Sequence, residues 1–253
     1  MADALWLGTA TGMEASIVLR HGVRFRPLDG GPLVGVSPAR LVANALRIGR
    51  GTVTAWWLMR RERPDAVLVT GGYASVPVAL AARLRSVPLV VFLPDVVPGR
   101  AVRLMASLAT RIAAASPRSL DRLPRGRAEA TGYPVRQDVR KAERQASREM
   151  LGLGSAGVVL LAFGGSRGAR RINEAVVGAA PALLPHAEIV HVAGSLDHRR
   201  VAQAREALPP DRSRRYHVFE FLESDQMAAA LAAADLVVSR AGAAVMGEYP
   251  ARA

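Results

Sequence analysis

The strongest constraint on this chain is its regular succession of short apolar β-forming runs, glycine-bearing loops and stretches with helical spacing. In the first half, the runs Ala4 to Leu7, Val23 to Pro27, Ala66 to Thr70, Leu89 to Leu93 and Arg111 to Ala114 alternate with helical stretches. These are Glu14 to Arg20, Pro38 to Arg63, Val76 to Arg85 and Gly99 to Leu108. Each run is short enough for a strand buried on both faces, and strands alternating with helices assemble as parallel βαβ units. Glu129 to Val135 predicts one more strand, and Gln137 to Leu151 a charged helix running into the glycine-rich stretch 152–157. A second series then begins, with strands at Val158 to Phe163, Glu188 to Ala193, Tyr216 to Phe221 and Leu236 to Ser239. Helices are predicted between them at Ala169 to Leu184, His198 to Leu208 and Asp225 to Ala233. The fold class is therefore α/β, with two doubly wound parallel-sheet domains at 1–136 and 158–253 joined by a connection at 137–157.

Composition narrows the classes. Half of the 253 residues are hydrophobic and 22% charged, which supports a buried core and excludes wholesale disorder. With no cysteine, a disulfide framework and a thiolate metal site are both excluded. The sequence shows no positive n-region before an apolar core, and no apolar run reaches the roughly 18 residues of a membrane span. A cytoplasmic protein, neither secreted nor integral to a membrane, is expected. The net charge of +13 would attract nucleic acid, an anionic membrane face or phosphorylated substrates. Lys141 is the single lysine, so the arginine excess reads equally as base composition or as a basic surface. No RNA-binding or helix-turn-helix signature accompanies it, and nucleic acid is not an expected partner.

In open α/β sheets ligands bind beyond the carboxyl ends of the strands, so the loops after strands matter most. Phe163-Gly-Gly-Ser-Arg-Gly-Ala169 has the glycines and following helix of a phosphate cradle, but it lacks the P-loop ending and does not match G-x-G-x-x-G. It reads either as a cradle or as a tight strand-to-helix turn. Ser239-Arg-Ala-Gly-Ala-Ala-Val-Met-Gly-Glu248 is a second strand-glycine-helix passage, whose Glu248 could hold ribose hydroxyls or merely favour a helix dipole. Thr70-Gly-Gly-Tyr-Ala-Ser-Val-Pro77 and Thr131-Gly-Tyr-Pro-Val-Arg136 are the other two. Arg136 is expected where the domains face each other, either to meet a diphosphate or as a surface arginine. Asp95 follows a strand as polar lining or as a turn residue. The five histidines, His21, His186, His191, His198 and His217, have no compact ligand spacing, so no metal site and no cofactor are predicted.

The segment from Gly31 to Trp57 interleaves Leu33, Val34, Leu41, Leu46, Ile48, Trp56 and Trp57 with Arg40, Arg47 and Arg50. This suits either an anionic membrane surface or an ordinary amphipathic helix on the sheet.

Taken in order, these stretches resemble the MurG family of bacterial transferases. The resemblance is carried by Gly8-Thr-Ala-Thr-Gly-Met-Glu14, Arg63-Pro-Asp65 leading to Gly71-Gly-Tyr73, Gly132-Tyr-Pro-Val-Arg136, Gly164-Gly-Ser-Arg-Gly-Ala169, Phe221-Leu222 and Ser239-Arg-Ala-Gly242. It implies a GT-B fold of two Rossmann-like domains that moves N-acetylglucosamine from UDP-N-acetylglucosamine to an undecaprenyl-diphosphate-linked muramoyl-pentapeptide. Transfer would invert the anomeric centre by direct displacement, with positive groups on the leaving diphosphate and no bound metal. Arg136 and Ser166, with Gly165 and Arg167 of the same loop, would meet the donor diphosphate. Phe221 and Leu222 would flank the uracil, Gly242 would line the site and Glu248 would bind ribose. Gly71, Gly72, Tyr73 and Asp95 would belong to the acceptor side. Leu33, Val34, Trp56, Trp57, Arg40, Arg47 and Arg50 would form a patch on the anionic inner-membrane surface, making the protein peripheral on its cytoplasmic face.

The family opens with a strand and a Gly-Gly-Thr-Gly-Gly-His loop to which its base is assigned, and it continues past the last residue here. Both domains are therefore expected to be incomplete, no catalytic residue can be assigned, and little or no turnover is expected. Tyr133 replaces the usual Asn, and Pro94-Asp95 a Glu-Gln-Asn stretch, which points to a divergent branch. Another GT-B glycolipid transferase, a non-catalytic nucleotide-sugar or membrane-binding remnant, and a nucleic-acid binder are the competing readings.

Overall fold

The computed structural model describes residues 3–9, 14–31, 37–165, 168–242 and 245–249. The chain forms two compact units, divided between Tyr133 and Pro134.

The first unit runs β1 (Leu5–Gly8), α1 (Glu14–Arg20), β2 (Arg24–Pro27), α2 (Pro38–Glu62), β3 (Val67–Val69), α3 (Ser75–Leu84), β4 (Leu89–Leu93), α4 (Arg100–Leu108), β5 (Arg111–Ala114), a 3-10 turn (Pro117–Arg122) and β6 (Ala128–Ala130). All its pairings are parallel, in a two-stranded sheet β1-β2 and a four-stranded sheet β3-β4-β5-β6. The core lies between β4 and β5, through Leu89, Val91 and Ile112, and the helices, through Val76, Ala79 and Met105. Pro38 sits in the first turn of α2, where its missing N–H costs nothing. The helix ends at Arg63, in a left-handed conformation just before Pro64. Its buried positions Asn44, Ile48, Ala55 and Met59 fall on one helical face.

The second unit runs α5 (Gln137–Lys141), α6 (Arg144–Met150), β7 (Val158–Phe163), α7 (Arg170–Leu183), β8 (Ala187–Val192), α8 (His198–Glu206), α9 (Pro210–Ser213), β9 (Tyr216–Phe219), α10 (Ser224–Ala233), β10 (Leu236–Ser239) and α11 (Val245–Glu248). Its strands form one parallel sheet, β10-β7-β8-β9. Alternation along β7 sends Val159 and Leu161 into a core with α10, and Leu160 and Ala162 into a second core with α7. The run of small residues Ala228, Ala229 and Ala230 lets α10 approach closely.

Two expectations are corrected. The strand expected over 129–135 stops at Ala130, because Gly132 turns the backbone to φ +76 and Pro134 has no N–H to give a ladder. The helix expected over 137–151 breaks at Ala142 and Glu143, which are extended. The resulting pair is no free connection, since both helices pack on α10 within the second unit. Arg148 anchors α6 by donating to the carbonyls of Gly154 (3.1 Å) and Gly157 (2.6 Å) and by lying 3.5 Å from an Asp235 oxygen. Asp235 also accepts from the Val159 N–H and from Arg144; against the opposing effect of partial burial, these two bonds, the Arg144 charge and last the Arg148 charge hold its carboxyl below the ordinary carboxylate range.

Candidate functional site

In the second unit, β7 is the first strand and lies between β8 and β10, so the chain reverses direction across the sheet at the β7–β10 seam. That is the switch point at which ligands enter open α/β sheets. Phe163 and Ser239 are register partners at its carboxyl end, and the two glycine loops leave from there side by side.

The first loop doubles back tightly. A Cβ on Gly164 would come within 2.3 Å of the Ala169 Cβ, and one on Gly168 within 2.2 Å of the Ala193 carbonyl oxygen. Gly165, at φ +93, and Gly242 in the second loop face open space, so a ligand can approach the backbone there. Ser166 and Arg167, expected at the diphosphate, lie outside the described residues.

Arg136 and Glu248, far apart in sequence, are brought into direct contact. The Arg136 Nε donates to Glu248 Oε1 at 3.0 Å, and Nη1 donates to the Ser224 hydroxyl at 2.5 Å. The sequence places Arg136 in the first domain, but it belongs to the second unit, and its side-chain bonds among the described residues are to Glu248 and Ser224 of that unit. Nothing in the sequence marks Ser224 beyond its place at the start of α10. Two residues upstream, Leu222 is buried with Val139 and Val190, whereas Phe221 is 55% exposed. Only Phe221 therefore offers a ring face; Leu222 fixes the loop from below. Glu223 and Gln226 cap α10 reciprocally, which holds this turn in place.

In the first unit Gly71 (φ +111) and Gly72 (φ +79) form the turn after β3, clasped by the Ser75 hydroxyl donating to the Gly71 carbonyl at 2.7 Å. With Tyr73, Trp6, Gly8 and Gly31 they line a cleft of about 450 Å³. Asp95 is not brought to that cleft: it is exposed after β4, its carbonyl accepting from Ser119 Oγ at 3.3 Å. Tyr133 rests edge-on against Phe92 at 6.1 Å, which accommodates the larger residue.

The residues expected to form a membrane patch do not share one surface. Trp57 is 57% exposed, and Arg40, Arg47 and Arg50 are exposed, but Trp56 is half-buried against the core with the Arg85 guanidinium 5.0 Å over its ring. Ile48 is buried. The exposed apolar stripe on α2 is instead Val42, Leu46, Val53 and Trp57, spaced as one helical face. Leu33 and Val34 lie outside the described residues. Among the described residues no helix is long and apolar enough to cross a membrane.

Two units of parallel βαβ sheet, the second with two glycine loops at its switch point, have the architecture of the GT-B glycosyltransferases. Residues 2–114 match the glycosyltransferase family 28 N-terminal domain, and residues 159–250 the family 28 C-terminal domain. The chain belongs to the MurG family within that class. It is 43% identical to the UDP-N-acetylglucosamine--N-acetylmuramyl-(pentapeptide) pyrophosphoryl-undecaprenol N-acetylglucosamine transferase of Roseiflexus sp. (strain RS-1), over 98% of this chain and 64% of that one. The enzyme of the same name from Desulforudis audaxviator is 35% identical over 99% of this chain and 68% of its own. The crystal structure of Acinetobacter baumannii MurG superposes with a TM-score of 0.64 at 26% identity, covering 94% of this chain and 63% of that one. A UDP-GlcNAc 2-epimerase from Neisseria meningitidis, bound to UDP-GlcNAc, shares the fold at 14% identity and a TM-score of 0.62, over 96% and 70% of the two chains. The chain thus spans about two thirds of the length of these relatives.

Proposed function

We propose that the second unit binds UDP-N-acetylglucosamine and that the protein acts in transfer of N-acetylglucosamine to an undecaprenyl-diphosphate-linked N-acetylmuramoyl-pentapeptide. The observation that carries this is the Arg136–Glu248–Ser224 cluster, with exposed Phe221 on the turn that enters α10, in the unit whose two glycine loops leave the switch point side by side. Glu248 takes the Nε edge of Arg136 and Ser224 takes Nη1, which fixes the guanidinium plane; Nη2 has no partner among the described residues and is left for a phosphate oxygen. Glu248 Oε2 is likewise left for ribose hydroxyls, and the Phe221 ring for stacking on the base. A guanidinium held this way gains most from the charge that develops on the leaving diphosphate, which is where an inverting displacement needs it. Ser166 and Arg167 add donors from the glycine loop.

On the acceptor side, the cleft beside Gly71, Gly72 and Tyr73 receives the lipid-linked sugar. The α2 stripe, rimmed by Arg40, Arg47 and Arg50, rests on an anionic bilayer, with Trp57 at the interface, and keeps the protein on the cytoplasmic face of the membrane.

The test is calorimetric titration of the folded chain with UDP-N-acetylglucosamine, UDP and CDP. Uridine-selective binding is expected, weakened roughly 10- to 100-fold in Arg136→Ala through loss of charge-assisted bonds. A folded chain that does not prefer UDP to CDP would remove the proposal.

A further inference from the structure

Beneath the glycine loop lies a chain of fully buried polar side chains. His191 on β8 and Asn173 on α7 have no exposed surface, and Tyr216 on β9 almost none. His191 Nδ1 lies 2.8 Å from the Tyr216 hydroxyl, and its Nε2 lies 3.0 Å from Asn173 Oδ1. Asn173 Nδ2 donates twice, to the Ala193 carbonyl at 2.9 Å and to Asp197 Oδ2 at 3.0 Å.

The direction of every proton follows from these partners. Both acceptors of Nδ2 can only accept, so that atom is the amide nitrogen and Oδ1 must be an acceptor. His191 Nε2 therefore carries a hydrogen. Burial pushes the imidazole down to about 4, so the ring is neutral, Nδ1 is bare and the Tyr216 hydroxyl donates to it. Tyr216, raised well above its ordinary value by the same burial, keeps its proton. The result is a one-way relay, Tyr216 to His191 to Asn173 to Ala193 and Asp197, in which each buried group is satisfied.

The relay ends on the atom against which the glycine loop is packed. The Ala193 carbonyl that accepts from Asn173 is the one that leaves no room for a Cβ on Gly168, and Asn173 sits in the first turn of the helix that this loop enters. The backbone N–H of Asn173 also bonds to the Ala169 carbonyl. Beyond Ala193, Gly194 (φ +79) accepts from the N–H groups of Asp197 and His198, so Asn173 spans the exits of two neighbouring strands: its side-chain amide bonds Ala193 and Asp197 after β8, and its backbone N–H bonds Ala169 at the end of the glycine loop. The side-chain amide also lies 3.3 Å from where a Cβ on Gly168 would sit, so the described end of the glycine loop, Gly168 and Ala169, is packed against Asn173 and Ala193 together.

We infer that Asn173 and His191 are positioning residues for the donor diphosphate: the buried relay fixes Gly168 and Ala169, where the glycine loop enters α7, against Ala193 and so pre-sets backbone that meets the phosphates. This rests on the reading of the second unit as the donor site. Neither side chain touches the donor, and the base and ribose contacts at Phe221 and Glu248 do not depend on them.

The experiment separates the diphosphate from the nucleoside. The full chain is titrated with UDP and with uridine, and each variant's ratio of affinities is compared with the parent at a temperature well below melting. Asn173→Ala is expected to weaken UDP roughly tenfold or more while leaving uridine nearly unchanged, the scale of a small misplacement of binding groups. Tyr216→Phe removes only the far hydroxyl without opening a cavity, and is expected to shift the ratio in the same direction by a smaller factor. Val201→Ala truncates a neighbour in the same apolar cluster that takes no part in the relay. It should lower the melting temperature without moving the ratio. If Arg136→Ala abolishes UDP binding while Asn173→Ala and Tyr216→Phe keep the parental ratio, the donor site stands and the positioning role is overturned. If the folded parent does not bind UDP, both are overturned. A ratio that shifts equally in Val201→Ala would reduce the relay to ordinary core stability and overturn it too.

Discussion

The two units are built from the same βαβ grammar, yet their sheets close differently. In the second, β7 is paired on both edges, by β8 and β10, and strand β8 is buried along its whole length. In the first, the strands divide into two sheets, and β1 and β3 are each paired on one edge among the described residues. Trp6 of β1 is 43% exposed and Leu68 of β3 65%, where a strand paired on both edges and covered on both faces would bury its apolar residues. The cleft of about 450 Å³ in the first unit lies beside the ends of β1 and β3, whereas the second unit brings its equivalent strand ends into register contact. A sheet that is continuous across its switch point holds its loops to a fixed geometry, which is what nucleotide recognition requires. In the first unit the strand ends stand apart, and the cleft opens beside them.

If continuity makes the second unit rigid, its central strand should be the costliest place to remove volume. Leu161 is fully buried in β7. Leu161→Ala is expected to lose about 2–5 kcal/mol, from lost burial and the cavity left behind. Segment-resolved hydrogen exchange is the measure, because all three tryptophans, Trp6, Trp56 and Trp57, lie in the first unit and their fluorescence follows that unit alone. Protection should fall across 158–163 and 187–192 while the fluorescence midpoint holds. An equal shift of the fluorescence midpoint would break the comparison by showing that the cores do not unfold separately.

The pattern of runs and glycine loops made most of this architecture legible. β4, β5, β7 and β10 have the bounds read from the sequence, because an apolar run flanked by turn residues has few other ways to be buried. What was not legible depended on tertiary partners. Nothing local marks Arg148 as the anchor that assigns 137–157 to the second unit, since its acceptors are two backbone carbonyls and Asp235. Trp56 and Trp57 are adjacent and alike in sequence, and only their positions on α2 decide that one packs inward and the other outward. The same holds for the site. Arg136 and Glu248 were both singled out, but their mutual contact and the part of Ser224 required the fold. His191 was one of five histidines without ligand spacing; its place between the apolar residues Val190 and Val192 was the one available sign of a buried partner.

Acid sharpens the contrast, because only the second unit has a fully buried histidine. His191 is held neutral, its value depressed by burial from the ordinary 6.5 to about 4, with Asp197 the facing carboxylate that partly opposes the shift. Between these values the unfolded chain binds a proton that the folded chain refuses. The stability it contributes is therefore complete above pH 6.5 and is lost as pH falls toward 4, by about 3 kcal/mol at most. The first unit's one histidine, His21, is exposed. Denaturant midpoints from exchange at pH 7, 6 and 5 should fall in the second unit and stay nearly level in the first. His191→Gln, which cannot take the proton, should flatten the slope even though it is less stable throughout. Parallel slopes for variant and parent would remove His191 as the cause.

The smallest effect tests the open edge itself. Leu68 sits mid-strand in β3, a position that in a sheet closed on both sides would cost several kcal/mol to make polar, as Leu161 would. Because 65% of it is exposed, Leu68→Ser is expected to change stability by no more than about 0.5 kcal/mol, the range of an ordinary surface substitution. The urea midpoint of tryptophan fluorescence is the measure, since Trp6 and Trp56 belong to the same unit. A loss approaching that of Leu161→Ala would mean that β3 is covered in solution, and that the first unit's sheet is closed by something bound along that edge.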